Sequence, residues 1–562
     1  MSLHRPGPFL LRPARLLIPA LAGLVLPACE TRIPAPPPPE RFSGLERLEL
    51  ERVENRYLDL LWSLHPSLAL WAGAPGREAP RLRATRPEIF AARREARNLL
   101  DQALAVRSDG LPPSARRDQK VLAGDLRGLL VELEKVEPWA RDPGYYLDEI
   151  QALLALADNL YSNPTSRGEA LRLQLLSIPR LLPETEENLR FCPPPFLDAA
   201  ARRARSLSAL LRSGRAFPRG MEAGLARELK AAAEKAGLAL EAWAVRLEQR
   251  KKEKPGGSFV LGEDTLAALL REREGIFTPP REWIPDLKAR EKTLASSLAR
   301  RLGEPPSAAA LEALAAKALP PPREEEALSV GPPWARRRCG KEGLLPAALP
   351  THEVPPLRPP FPAALDLPVW PPLEGDPSRI SARLLLDLAR ATWPGLQALR
   401  SWLAGNASPL RRAAPSPLFC RGWLSYAEDL WAEKSPHEEV RTLRAWRRLV
   451  ECVQARAALE LHAGELTLSQ AEALLRDRAF LPSARAEELA LELARVPLRH
   501  LGFLGLQAID ELRSACRTRE GRAFAAGVFH GKLLSCGALP AGALEAELLL
   551  SCQSPSAASP RR

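Results

Sequence analysis

Residues 385–400 read LLDLARATWPGLQALR. Leucine and alanine recur at three- and four-residue spacing on both sides of TWPG, the pattern of a helix with one apolar face. Proline deletes an intrahelical hydrogen bond and clashes with the preceding turn, and glycine adds backbone freedom. The stretch therefore predicts two buried helical segments joined by a break at Pro394-Gly395, and the break needs a reason.

Working outward, the rest of the chain is of the same kind. LERLELERVENRYLDLLWSL, RPEIFAARREARNLLDQALAV, SARRDQKVLAGDLRGLLVELEKVE and, from Thr442, TLRAWRRLVECVQARAALELH each carry a single apolar stripe with few β-branched residues. Prolines punctuate them at Pro112-Pro113, Pro164, Pro193 to Pro195, Pro279-Pro280 and Pro305-Pro306, and Thr467 to Gln470 reads as a capping box. The fold class expected is all-α: a large bilobed helical body with a central cleft and few short strands. With 562 residues, 46% of them hydrophobic, the chain can bury a large core. Its formal charge of +12 comes from 80 basic residues interleaved with 68 acidic ones. The densest basic runs, 250–254 and 335–341, lack interleaved aromatics, so they read as solvated faces and no nucleic-acid partner is expected.

The first 29 residues combine a basic start (His4, Arg5, Arg12, Arg15), an apolar stretch from Leu16 to Val25, and LPAC ending at Cys29. This is the pattern of a secretory signal, too short for a stable span of about 20 apolar residues. Its end is similar to a bacterial lipobox, which makes Cys29 the expected lipidation site and the membrane the expected partner through that anchor. A Pro-rich tether follows over 30–44. The body then runs 45–553, with an N-terminal half at about 45–320, a Pro-rich insert at about 318–377 and a C-terminal half at about 378–550. Within the insert, 351–372 keeps Phe361, Leu365, Val369 and Trp370, so it is expected to lie against the body as an extended strand beside a groove. None of the seven other cysteines forms a CxxC pair, which leaves zinc ribbons unsupported and one or two disulfides open.

Seven fragments, read in order, resemble one family: WARDPGYYLDEI (139–150), LLSIPRLLPETEENLRFCPPPF (175–196), FVLGEDTLAALL (259–270), EVPPLRPPFPAALDLPVWPP (353–372), CRGWLSYAEDL (420–430), LHAGELTLSQAEALL (461–475) and VFHGKLLSCGALP (528–540). The family is the bacterial lipoproteins catalogued as domain of unknown function 885, placed among gluzincin-like zinc metallopeptidases. The resemblance implies a location at the cell envelope and a zinc site opening with A-H-E-x-x-P-G-H, two histidines for the metal and a glutamate as general base. Side chains six residues apart on an ideal helix point about 240° apart, so a break between them lets both face one ion.

Here that motif reads Ala389, Arg390, Ala391, Thr392, Trp393, Pro394, Gly395, Leu396. The family's third ligand opens E-G-W-x-x-Y-x-E, but Arg421 stands in its place, followed by Gly422, Trp423, Tyr426 and Glu428. Further on, Phe503 replaces a tyrosine six residues after Pro497. Both histidines, the base and the third ligand are gone together. Two cations at ~4 Å cost about 4 kcal/mol at an effective dielectric near 20, so neither zinc nor another cofactor is expected.

Trp393, Trp423, Tyr426, Glu428, His462, Phe503 and His530 are expected near the former cleft, although Trp423 and Tyr426 also suit plain packing and the histidines plain hydrogen-bonded burial. Arg390 and Arg421 suit bidentate binding of a carboxylate or phosphate, or pairing with Asp387, Glu428 or Asp429. The expectation is a catalytically inactive relative, a pseudoenzyme, whose cleft is a binding or scaffolding surface for an acidic peptide or cell-wall fragment. Two alternatives stand beside it: an active hydrolase or peptidase using non-standard residues, either Cys420 with its thiol activated by the adjacent Arg421 or an unrelated metal set, and a folded remnant without a ligand.

Overall fold

The computed structural model describes residues 44–71, 82, 84–160, 163–215, 217–253, 256–319, 332–346, 380–406 and 408–551. The signal, Cys29, the tether to residue 43 and most of the Pro-rich insert, including its expected strand, lie outside the described residues. The described chain is all-α, with two short strands.

The first half runs α1 (Gly44–Leu64), α2 (Pro66–Trp71), α3 (Arg86–Ala105), α4 (Pro113–Val131), α5 (Pro138–Arg141), α6 (Pro143–Leu160), α7 (Pro164–Glu186), α8 (Pro194–Ser213), α9 (Ala223–Glu253), α10 (Glu263–Glu274), α11 (Pro280–Leu302) and α12 (Ala308–Ala316). After β1 (Ala318–Leu319), α13 (Pro332–Lys341) and β2 (Ile380–Ser381) come α14 (Ala382–Ala391), α15 (Leu396–Ala404), α16 (Pro409–Ala413), α17 (Pro417–Glu433), α18 (Glu438–His462), α19 (Leu468–Arg478), α20 (Ser483–Arg495), α21 (Gly502–Glu520), α22 (Ala526–Ser535) and α23 (Ala541–Ser551). β1 and β2 pair antiparallel, Ala318 opposite Ser381 and Leu319 opposite Ile380, so the insert leaves and returns at one place.

Local signals start these helices where the sequence indicates. The Thr467 hydroxyl accepts from the Gln470 N–H at 3.3 Å while the Gln470 side chain accepts from the Thr467 N–H at 2.8 Å, closing the capping box of α19. Thr85 and Glu88 do the same for α3. Apolar stripes then bury against one another: α7 and α8 on α9, α11 along α18, and α17 on α21. One apolar core runs from Leu50 to Leu548, so the two halves share an interior.

Polar ties reinforce the join. Arg411 donates to Asp118 at 2.7 Å and to Glu547 at 3.2 Å, linking α16 to α4 and α23. Arg495 donates to Asp142 at 2.9 Å and Asp148 at 3.0 Å, linking α20 to α6. Among the described residues, no helix is long and apolar enough to cross a membrane, and Cys192, Cys339, Cys420, Cys452, Cys516 and Cys536 are free thiols.

Candidate functional site

The break at TWPG is present. α14 ends at Ala391 and α15 starts at Leu396. The Trp393–Pro394 bond is cis, the Gly395 N–H donates back to the Ala389 carbonyl at 3.0 Å, and the Gln397 N–H donates to the Thr392 carbonyl at 3.0 Å. A Cβ on Gly395 would fall 2.2 Å from the Arg390 carbonyl oxygen, so only glycine fits this close approach. Trp423 caps the break from α17: its indole N–H donates to the Pro394 and Gly395 carbonyls at 3.1 and 3.3 Å. Trp393 and Trp423 are both fully buried. Their place is behind the break, as packing and hydrogen-bonding residues.

In front of it, α14, α17, α18 and α20 enclose a cavity of about 470 Å³. Arg390, Arg421, Glu428 and Phe503 line it, as the sequence places them. Six arginines and five carboxylates face this space. Glu428, fully buried, receives Arg447 Nη1 at 3.0 Å, Arg390 Nη1 at 3.3 Å and Arg444 Nη1 at 3.4 Å. Burial works to raise its carboxyl, but Arg447, Arg390 and Arg444 together outweigh that and hold it below the usual carboxylate range. Arg390 also lies 3.6 Å from Glu451, which accepts from the Ser425 hydroxyl at 2.6 Å. Arg390 is therefore paired with nearby acids, Glu428 and Glu451. Asp387 and Asp429 are taken instead by α18, through Arg447 at 2.6 Å and Arg444 at 2.7 Å.

A profile of bacterial proteins of unknown function, DUF885, matches residues 378–548. That stretch holds the whole cavity apart from Glu312, and under a third of the chain. Two solved structures share the fold over nearly their whole length. One, described as a lipoprotein of unknown function from Shewanella oneidensis, has a TM-score of 0.61 at 16% identity and covers 89% of this chain and 99% of its own. The other, described as a lipoprotein from Colwellia psychrerythraea, has a TM-score of 0.72 at 15% identity, with 90% and 99% covered. No curated protein matches the chain significantly.

The break separates the two positions that the resemblance would bring together. Arg390 lines the arginine cavity, whereas Leu396 lines a second one on the other side of α17, and Ala391 is buried. Arg421 borders both cavities. Two guanidiniums and two alkyl groups offer a cation no donor, so these residues do not fit a zinc ion. Among the described residues, no group of three His, Cys, Asp or Glu side chains is placed to hold a metal.

The expected cleft histidines and Tyr426 sit elsewhere, which corrects that placement. His530 Nδ1 donates to the Leu344 carbonyl at 2.6 Å, so its Nε2 accepts from the Tyr426 hydroxyl at 2.8 Å. His462 Nε2 donates to the Leu493 carbonyl at 3.0 Å while Nδ1 accepts from the Leu261 N–H at 3.4 Å. Burial pushes both imidazoles down to about 4, so they are neutral braces between chain segments. Cys420 bears on the alternative of a thiol hydrolase. Burial, with Glu274 adding to it, pushes its thiol up to about 12 against the pull of Arg421, the opposite direction from activation by the adjacent cation.

Arg444, Arg447 and Glu451 are the site residues that motif reading misses. They stand at i, i+3 and i+7 on α18, and that spacing on one helix face was the signal available.

Proposed function

We propose that the chain is a non-catalytic lipoprotein of the bacterial cell envelope, anchored through Cys29, whose arginine-lined cavity binds or scaffolds an acidic peptide end or cell-wall fragment. The observation that carries this reading is the replacement of the resemblance's ligand and base positions by Arg390, Ala391, Leu396 and Arg421, with the first and last facing one cavity. Guanidiniums held at a cavity wall present a planar fork that matches a carboxylate. The names given to the two structural neighbours agree with an envelope lipoprotein.

Two measurements test it. Purified after growth with trace zinc, the protein should contain no stoichiometric metal, and a tightly held ion would sink the proposal. In a titration with short acidic peptides, Arg390→Ala plus Arg421→Ala should weaken binding at least tenfold. Pairing of Arg390 with Glu428 and Glu451 favours one competing reading, a purely structural ion network, and unchanged binding in the double variant selects it. For the anchor, radiolabelled palmitate should enter the wild type and not Cys29→Ser; equal labelling removes the lipid from the proposal.

A further inference from the structure

A second cavity, of about 340 Å³, lies between the halves, walled by α1, α2, α4, α6 and α10 on one side and by α15, α17 and the 495–499 stretch on the other. Leu61, Leu269, Leu396, Leu399 and Leu424 give it apolar faces. Five carboxyl groups reach it: Asp125, Glu132, Asp142, Asp148 and Glu149. Four have partners. Glu132 accepts from Arg273 at 3.0 Å, Asp142 and Asp148 share Arg495, and Glu149 accepts from the Ser67 N–H at 2.5 Å and hydroxyl at 2.9 Å.

Asp125, on α4, is the exception. It is 7% exposed, and its Oδ2 has no hydrogen-bond partner among the described residues. An unpartnered buried carboxyl is costly to keep, and native structures satisfy nearly all such groups. The cation acting on it, Arg273, is already bonded to Glu132. Burial pushes Asp125 up to about 7 against that pull, so a positive charge brought beside it favours the ionised carboxylate.

We propose that this cavity binds a small organic cation with an apolar body, its ammonium group seated on Asp125 and its hydrocarbon against the leucine walls. The ammonium supplies the donor that Asp125 Oδ2 lacks, in a site of low dielectric where a charge-assisted hydrogen bond is strong. Glu149 and Tyr145, both lining the cavity from α6, add oxygen acceptors, while of the arginines that also line it Arg273 is held by Glu132 and Arg495 by Asp142 and Asp148. An anion would meet an acid already starved of partners. The site is independent of the arginine cavity, sharing with it the side chains of Arg421 and Arg499 at the partition.

Calorimetric titration of the purified chain with n-hexylammonium, 1-hexanol and hexanoate tests the assignment, since the three probes differ only in the head group. Hexylammonium should bind at least tenfold more tightly than the other two. Asp125→Asn, which keeps the shape, should bring hexylammonium down to the level of hexanol while leaving hexanol unchanged. Leu399→Phe, which fills the opposite wall without touching the acid, should weaken both probes. Absence of hexylammonium binding, equal affinity for hexanoate or hexanol, or undiminished hexylammonium binding by either variant would overturn the proposal.

Discussion

Gly422→Val and Gly505→Val are each expected to destabilise the fold by more than about 4 kcal/mol, the range reserved for severe overpacking at a buried contact. These glycines lie where α17 crosses α21. A Cβ at 422 would stand 2.4 Å from the Gly505 carbonyl carbon and 2.6 Å from the Leu506 nitrogen; one at 505 would stand 2.0 Å from the Leu418 carbonyl oxygen. The obstructing atoms are backbone inside helices, so no side chain can rotate away and the helices must separate. Separation strips contacts from Leu418, Phe503 and Leu506, all buried here. Thermal and urea unfolding provide the measurement. A soluble valine variant with a melting temperature within a few degrees of wild type would show that the crossing tolerates a wider spacing. Glycine at 422 is thus a packing residue, required by the helix crossing.

The second large effect is expected at Glu428. Glu428→Ala should cost about 3–5 kcal/mol, because it leaves Arg390, Arg444 and Arg447 facing one another without the buried anion they surround. Arg444 is itself only 2% exposed. A double variant that also replaces Arg447 by methionine should recover part of the loss, since one unpaired cation is removed with its countercharge. The pH dependence follows from the direction of the shift. A carboxyl whose folded pKa lies below its unfolded value contributes stability above the unfolded pKa, near 4.5, and that contribution disappears as pH falls through the folded pKa. The wild-type advantage over Glu428→Ala should therefore be constant from pH 6 to 8 and shrink below about pH 4. Urea unfolding at pH 7 and pH 3 measures it, and an equal difference at both would refute the assignment to the ionised carboxylate.

How much of this was legible in the sequence depends on whether the relevant force acts along the chain or across it. The break at Pro394-Gly395 and the capping box at Thr467 are local, fixed by backbone sterics and by donors three residues away, and both appear where the residues place them. The apolar stripes carry the all-α architecture for the same reason. The partner of Arg390 was not legible, although Glu428 was among the candidates. The choice depended on a glutamate delivered by α17 and two further arginines delivered by α18, all 38 or more residues away. That Leu396 meets the second cavity was equally hidden, because a break fixes that a helix turns without fixing which cavity each arm meets. Cys420 shows the same limit. Its neighbour in sequence is a cation, but burial and Glu274, brought in by α10, decide its thiol.

Arg411 binds residues that arrive at very different times during synthesis. Its guanidinium needs Asp118 from α4 and Glu547 from α23, positions separated by more than 400 residues. Nearly the whole described chain must be present before both ion pairs can form, so the acid of α4 is claimed only after the later helices have been made. Contacts of such long range delay closure and keep apolar surface exposed in the meantime. The bridge from α4 to α23 through Arg411 is therefore one that no fragment ending before α23 can complete.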